Sequence, residues 1–165
     1  MDFGQIIKHW QLAPWRAQHC FDQNALQAIE EAIRASETVH RGELRFVLDR
    51  RFSLFQLLRG LTARQRAEAL FDELGMLQTA ERSGILIYVM LAEQKVEIVA
   101  DRGIAAQVSQ AQWNALCDKM TACFARGDYR GGAQTGIAGA TELLACHFPA
   151  RDSNPNELDD KPLLL

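Results

Sequence analysis

The stretch SGILIYVMLAEQKVEIVA, Ser83 to Ala100, decides the fold. Ile85 to Leu91 is an unbroken apolar run of strand length, rich in Ile, Val and Tyr, and Gly84 opens it. It shows no alternation, so both of its faces are expected to be buried. That suits a central strand in a sheet covered on two sides. Ala92, Glu93 and Gln94 then break the run. Lys95 to Ala100 alternates, with Val96, Ile98 and Ala100 on one side and Lys95, Glu97 and Val99 on the other. So short a link allows only a tight connection, and the two strands should pair antiparallel.

Upstream, Glu43 to Asp49 reads as the first strand. Leu44, Phe46 and Leu48 point one way, and Val47 supplies a second apolar face. Thr62 with Gln65 forms a capping box that opens a helix striped by Ala67, Leu70, Phe71 and Leu74, and Gly75 stops it. Strand, helix, strand is a crossover, so the first two strands should run parallel with the usual right-handed sense. An earlier helix follows Asp22 or Asn24, with Leu26, Ile29 and Ile33 as its stripe. Phe3, Ile6, Ile7 and Trp10 have helical spacing ahead of Pro14. Arg50 to Gly60 is expected to be a short helix.

Downstream, Asp101-Arg102-Gly103 makes a turn. Ser109 with Gln112 caps a helix striped by Trp113, Leu116, Cys117, Met120 and Phe124. A polar turn from Gly127 to Gly132 leads to a last helix with Ala133, Ile137, Ala140 and Leu144 inward. The expected class is α/β, a three-layer α/β/α sandwich around a small mixed β-sheet. Residues 1–150 should form one domain, with residues 151–165 a flexible C-terminal tail.

The chain has 165 residues, a length that suits one domain with its own core. Its net charge of -3 provides no basic field for nucleic acid. No apolar stretch reaches membrane-spanning length, and MDFGQIIKHW has no signal-peptide core, so a cytoplasmic protein is expected. Cys20, Cys117, Cys123 and Cys146 fit no zinc or CxxC spacing and are expected to be free thiols. P-loop, GxGxxG, GxSxG and HExxH patterns are absent, and no Cys is followed by Arg at cysteine-phosphatase spacing.

Strand direction places a candidate site. The first two strands start at the rim of the sheet where the third ends. His40, Arg41, Glu43, Glu81, Arg82, Asp101 and Arg102 should gather there. Glu43 and Asp101 are hard oxygen donors suited to calcium or magnesium, and Asp128 is a third candidate ligand. Arg82 and Arg102 suit an anion, with His40 and the Gly103 turn beside them. Each has a plainer role: charged residues solvate strand ends, Glu43 can pair with Arg82, His40 can pack, and Asp128 can cap the last helix.

Several segments in this order carry a resemblance. They are HRGELRFVLD at His40 to Asp49, RAEALFDELGMLQTAERSGILIYVMLAEQKVEIVADRGI at Arg66 to Ile104, Trp113, FARGDYRGG at Phe124 to Gly132, and Gly136-Ile137. From about Phe21 to Pro149 the chain resembles the TPM domain family, closest to its short, soluble bacterial members. The resemblance implies a small sheet between helices, and links to weak acid-phosphatase activity, calcium binding and the assembly or repair of membrane complexes. It places the family's acidic position on Asp101, its glycine on Gly103, and its Gly-Asp-Tyr turn on Asp128 and Tyr129. The family's two asparagines before the second strand stand here as Arg82-Ser83.

Two functions are open on this reading. One is a binding or adaptor protein with a protein partner, and with a divalent ion at the His40, Asp101 and Asp128 side. The other is a weak metal-assisted acid phosphatase in the same groove. Beside these two stands a plainer structural reading, a module that dimerises through Phe52 to Leu58. Three converging oxygen ligands opposite an arginine would favour the enzyme, and an exposed apolar patch the adaptor.

Overall fold

The computed structural model describes residues 20–151 and 158–165. The helix expected at Phe3 to Trp10 lies outside them. In chain order the elements are α1 (Gln23–Ser36), β1 (Leu44–Asp49), α2 (Leu54–Leu58), α3 (Ala63–Glu73), a 3-10 turn (Met76–Gln78), β2 (Ile85–Met90), β3 (Lys95–Ala100), α4 (Arg102–Ala105), α5 (Gln110–Ala125), α6 (Tyr129–His147) and β4 (Leu163–Leu164).

The sheet order is β3-β2-β1-β4. β1 and β2 are parallel and in register from Leu44 opposite Ile85 to Asp49 opposite Met90. β2 and β3 are antiparallel, with Ile85 opposite Ala100 and Met90 opposite Lys95. The crossover and the reversal are therefore as the apolar run and its short break imply. Gln94 takes φ 53 in the reversal.

The unbroken run in β2 has the expected cause. Ile85, Ile87 and Val89 join Leu44, Phe46 and Leu48 in a cluster with α1, α5 and α6. Leu86, Tyr88 and Met90 join Val47 and Val99 in a second cluster with Ala63, Ala67, Leu70 and Phe71 of α3. Each fully buried aliphatic side chain here contributes about 1.5–3 kcal/mol. The result is the three-layer α/β/α arrangement.

Local signals set the helix ends. Thr62–Gln65 and Ser109–Gln112 both close reciprocal capping boxes. Gly75 takes a left-handed φ of 73, which releases the chain from α3 toward the sheet. α2 starts at a third box, Ser53–Gln56, which explains why Arg50 to Gly60 turns helical at all. α6 lies close on α5: a Cβ at Gly136 would stand 2.3 Å from the Met120 sulfur.

The last residues differ from the expected flexible tail. Leu163 and Leu164 extend the sheet as β4, parallel to β1. Leu165 N–H donates to the Leu48 carbonyl at 2.9 Å, and Arg50 N–H donates to the Leu165 carbonyl at 3.2 Å. Two residues of strand are too few to stand out by alternation, so the closing leucines gave no periodic signal.

Candidate functional site

The register brings Glu43, Gly84 and Asp101 to one rim. Ile85 N–H donates to the Glu43 carbonyl and Asp101 N–H to the Gly84 carbonyl, each at 2.8 Å. His40 reaches the same rim through a bridge to Pro149. Arg41 ion-pairs with Glu81, and its Nε donates to the Pro149 carbonyl at 2.8 Å. Arg151 lies 3.9 Å from the same Glu81 carboxylate, so Arg41 and Arg151, rather than Arg82, are the arginines seen to pair at this edge among the described residues.

The individual side chains have specific local tasks. Asp101 is only 2% exposed. Its Oδ1 accepts from Arg102 N–H at 2.6 Å, which caps α4, while its Oδ2 is buried with no hydrogen-bond partner among the described residues. The expected turn is thus a one-turn helix. Gly103 is required by contact: a Cβ there would lie 2.5 Å from the Arg82 carbonyl and 2.7 Å from the Glu81 carbonyl. Arg82 holds a left-handed φ of 52, and its carbonyl accepts from Gly103 N–H at 2.9 Å. The Arg82 and Arg102 side chains are exposed. His40 is fully buried, and burial pushes its imidazole below the usual range, so it is held neutral against backbone.

Asp128 does not join them. It caps α6 by accepting from Gly131 N–H at 2.9 Å. The other end of that helix meets the rim, where Arg41 N–H donates to the Phe148 carbonyl. At 1.5 Å per residue, the 19 residues of α6 hold Asp128 about 28 Å away along the helix. It lines a separate groove of about 300 Å³ with Asp22, Tyr129 and Arg130.

A different set of acids gathers near Glu43. Asp160 is 9% exposed, and its Oδ2 is 3.3 Å from Arg34 Nε. Burial, then the Asp160 and Glu43 carboxylates, push Glu37 up to about 8. Its carboxyl is therefore largely protonated at neutral pH and hydrogen-bonds Asp160. Sequence reasoning missed this group because Asp160 lies in the stretch expected to be a flexible tail. It also missed Arg45, 8% exposed in a strand that otherwise reads apolar at its inner positions, with Nε and Nη1 buried and without a hydrogen-bond partner among the described residues.

Calcium, which the resemblance implies, or magnesium, which hard carboxylate donors also suit, needs about six or more oxygen ligands, part of them carboxylate. Among the described residues no three His, Cys, Asp or Glu side chains converge to hold a metal ion. Glu43, Asp101 and Asp128 therefore do not fit as a joint ligand set. Cys117 is a poor nucleophile, since burial pushes its thiol up to about 11.

A three-layer α/β/α domain with a mixed four-stranded sheet and a rim of mixed charge is the class these features define. The chain belongs to the TPM domain family, whose profile matches residues 16–143. It is similar to the BA42 protein of the psychrophilic bacterium Bizionia argentinensis, solved by NMR. That likeness is at 28% identity and TM-score 0.77, over 88% of this chain and 95% of that one. The N-terminal domain of a protein from P. gingivalis, solved by solution NMR, shares the fold at 16% identity and TM-score 0.63, covering 79% of this chain and 82% of that one. No curated protein matches the chain. Among the described residues no helix is long and apolar enough to cross a membrane.

Proposed function

We propose that this chain is a cytoplasmic binding module that works by engaging a protein partner. The observation that carries the reading is the surface of α2. None of its five residues is buried, and Leu54, Phe55 and Leu58 are 58%, 61% and 54% exposed. Removing such side chains from water yields about 25 cal/mol per Å² of apolar area. Large apolar groups clustered on one short helix are what a docking surface requires. The free state of Cys20, Cys117, Cys123 and Cys146 supports a reducing compartment.

The phosphatase alternative asks for converging oxygen ligands opposite an arginine. Glu43 and Asp101 share a rim, but Arg41 there is committed to Glu81. The binding reading routes nothing through a metal.

The test places a photo-cross-linking amino acid at Phe55, and at exposed Gln134 as a control, in the native host. A discrete protein adduct is expected at Phe55 only, and Leu58→Asp should remove it. Equal labelling at both positions would overturn the reading. Hydrolysis of p-nitrophenyl phosphate that Asp101→Asn abolishes would transfer it to the enzyme.

A further inference from the structure

The surface around α2 is basic as well as apolar. From Arg50 to Ala67 the sequence holds Arg50, Arg51, Arg59, Arg64 and Arg66 and no acid, in a chain of net charge -3. Arg64 and Arg66 are engaged by Glu68 and Glu73. Arg50, Arg51 and Arg59 make no ion pair among the described residues, and the last two are exposed. The Arg59 guanidinium lies 4.2 Å from the centroid of the Phe55 ring, which keeps its charge against the apolar face. The nearest acid before the stretch, Asp49, is 5% exposed and accepts from Tyr88 Oη at 2.9 Å. It does not neutralise the surface.

We infer that the partner's docking segment is an acidic peptide with apolar anchors. Leu54, Phe55 and Leu58 receive the anchors, and Arg50, Arg51 and Arg59 receive flanking Asp or Glu side chains. This rests on the reading of α2 as a docking surface and adds the chemistry of what docks. Charge complementarity selects this occupant over the others. A second copy of this chain, docked by a two-fold axis on the same face, would set arginines against arginines. The chain's own residues 1–19 carry Asp2, Lys8 and Arg16, so they bring little acid. An anionic membrane would face a five-residue helix on a molecule of net negative charge, too little surface for stable adsorption.

The test is an array of short synthetic peptides probed with the full chain. Every peptide carries Leu and Phe anchors at helical spacing. Half flank them with Asp and Glu, and half with Lys and Arg. Binding is expected in the acidic half, weakened by added salt and lost in both Arg51→Glu/Arg59→Glu and Leu54→Asp/Leu58→Asp variants. Each variant's fold is checked by circular dichroism. Equal binding in both halves, insensitive to salt, would overturn the acidic partner while leaving an apolar docking face. A Phe55 cross-link in the host without any array binding would do the same. Self-association abolished by Leu58→Asp, or binding to phosphatidylglycerol vesicles instead of peptides, would replace the proposed occupant. Neither array binding nor a host cross-link would remove the docking surface itself.

Discussion

Gly103 packs so close to Arg82 that a single added carbon would collide with the Arg82 carbonyl oxygen at 2.5 Å. This contact fastens the start of α4 to the turn that feeds β2. The atoms it meets are backbone, which cannot swing aside as a side-chain tip can. Gly103→Ala is therefore expected to cost about 1–3 kcal/mol. Urea unfolding would read it as a lower midpoint at unchanged slope. A wild-type midpoint would show that the junction is looser than described.

The other half of that junction predicts a gain. A left-handed φ costs an ordinary L-residue about 1–2 kcal/mol, while Asn adopts it more readily. Arg82 sits at φ 52 with its side chain in solvent. Arg82→Asn should raise stability by about 1 kcal/mol. It would also restore the residue type that the resemblance implies ahead of this strand, a place where the backbone geometry itself accounts for asparagine. Thermal unfolding decides between a raised and an unchanged midpoint.

Most of the sheet was legible because Ile85 to Ala100 states burial and reversal in consecutive residues. The capping pairs at Thr62 and Ser109 fixed two helix starts for the same reason: the signal is local. The rim was legible as far as strand direction reaches, which brought Glu43 and Asp101 together. Asp128 failed because its distance depends on the whole length of α6, and turn chemistry says nothing of that. Asp160 and β4 failed because their partners, Glu37 and Leu48, lie more than a hundred residues back along the chain. No periodicity within the tail records such a pairing.

Two strands present a polar pair inside the sheet. Tyr88 Oη donates to Asp49 Oδ2 at 2.9 Å, with Tyr88 fully buried and Asp49 nearly so. Burial, then the Asp49 charge, raise the phenol above its usual range, so it stays a donor at every ordinary pH. Tyr88→Phe withdraws that donor from a buried carboxyl and should cost about 1–3 kcal/mol. Asp49→Asn is the milder change, since an amide can still accept. Denaturant midpoints in the order wild type, Asp49→Asn, Tyr88→Phe are expected, and the reverse order for the two variants would contradict the account.

The Glu37 carboxyl should tilt stability with pH. Its folded value is raised from 4.5 to about 8, so between those limits the folded chain keeps a proton that the unfolded chain has released. Its contribution is complete below about 4.5 and is lost as pH climbs toward 8. His40 acts in the other sense: its lowered value makes the fold weaker as pH falls below 6.5. The decisive quantity is therefore the difference between wild type and Glu37→Gln. That difference should favour wild type most near pH 5 and shrink by pH 8.5, by less than the full shift would give because Glu37 is only half-buried and solvent screens it. Parallel stability curves would dissociate Glu37 from Asp160.

β3 is an edge strand, and its outward backbone groups are guarded at the centre. Because Asp101 N–H pairs with the Gly84 carbonyl, the alternation of antiparallel bonds turns the Ile98 N–H and carbonyl away from β2. Arg64 of α3 donates to that carbonyl at 2.8 Å, and the Cys117 sulfur of α5 meets the Ile98 N–H. Helices from both layers thus close over one residue of the edge. An open edge invites pairing with another chain. Arg64→Ala, which frees the carbonyl, should increase concentration-dependent association while the monomer keeps its secondary structure. Sedimentation velocity would record the larger species. A monomer that persists across the concentration series would mean that the edge is protected by the helix layers alone.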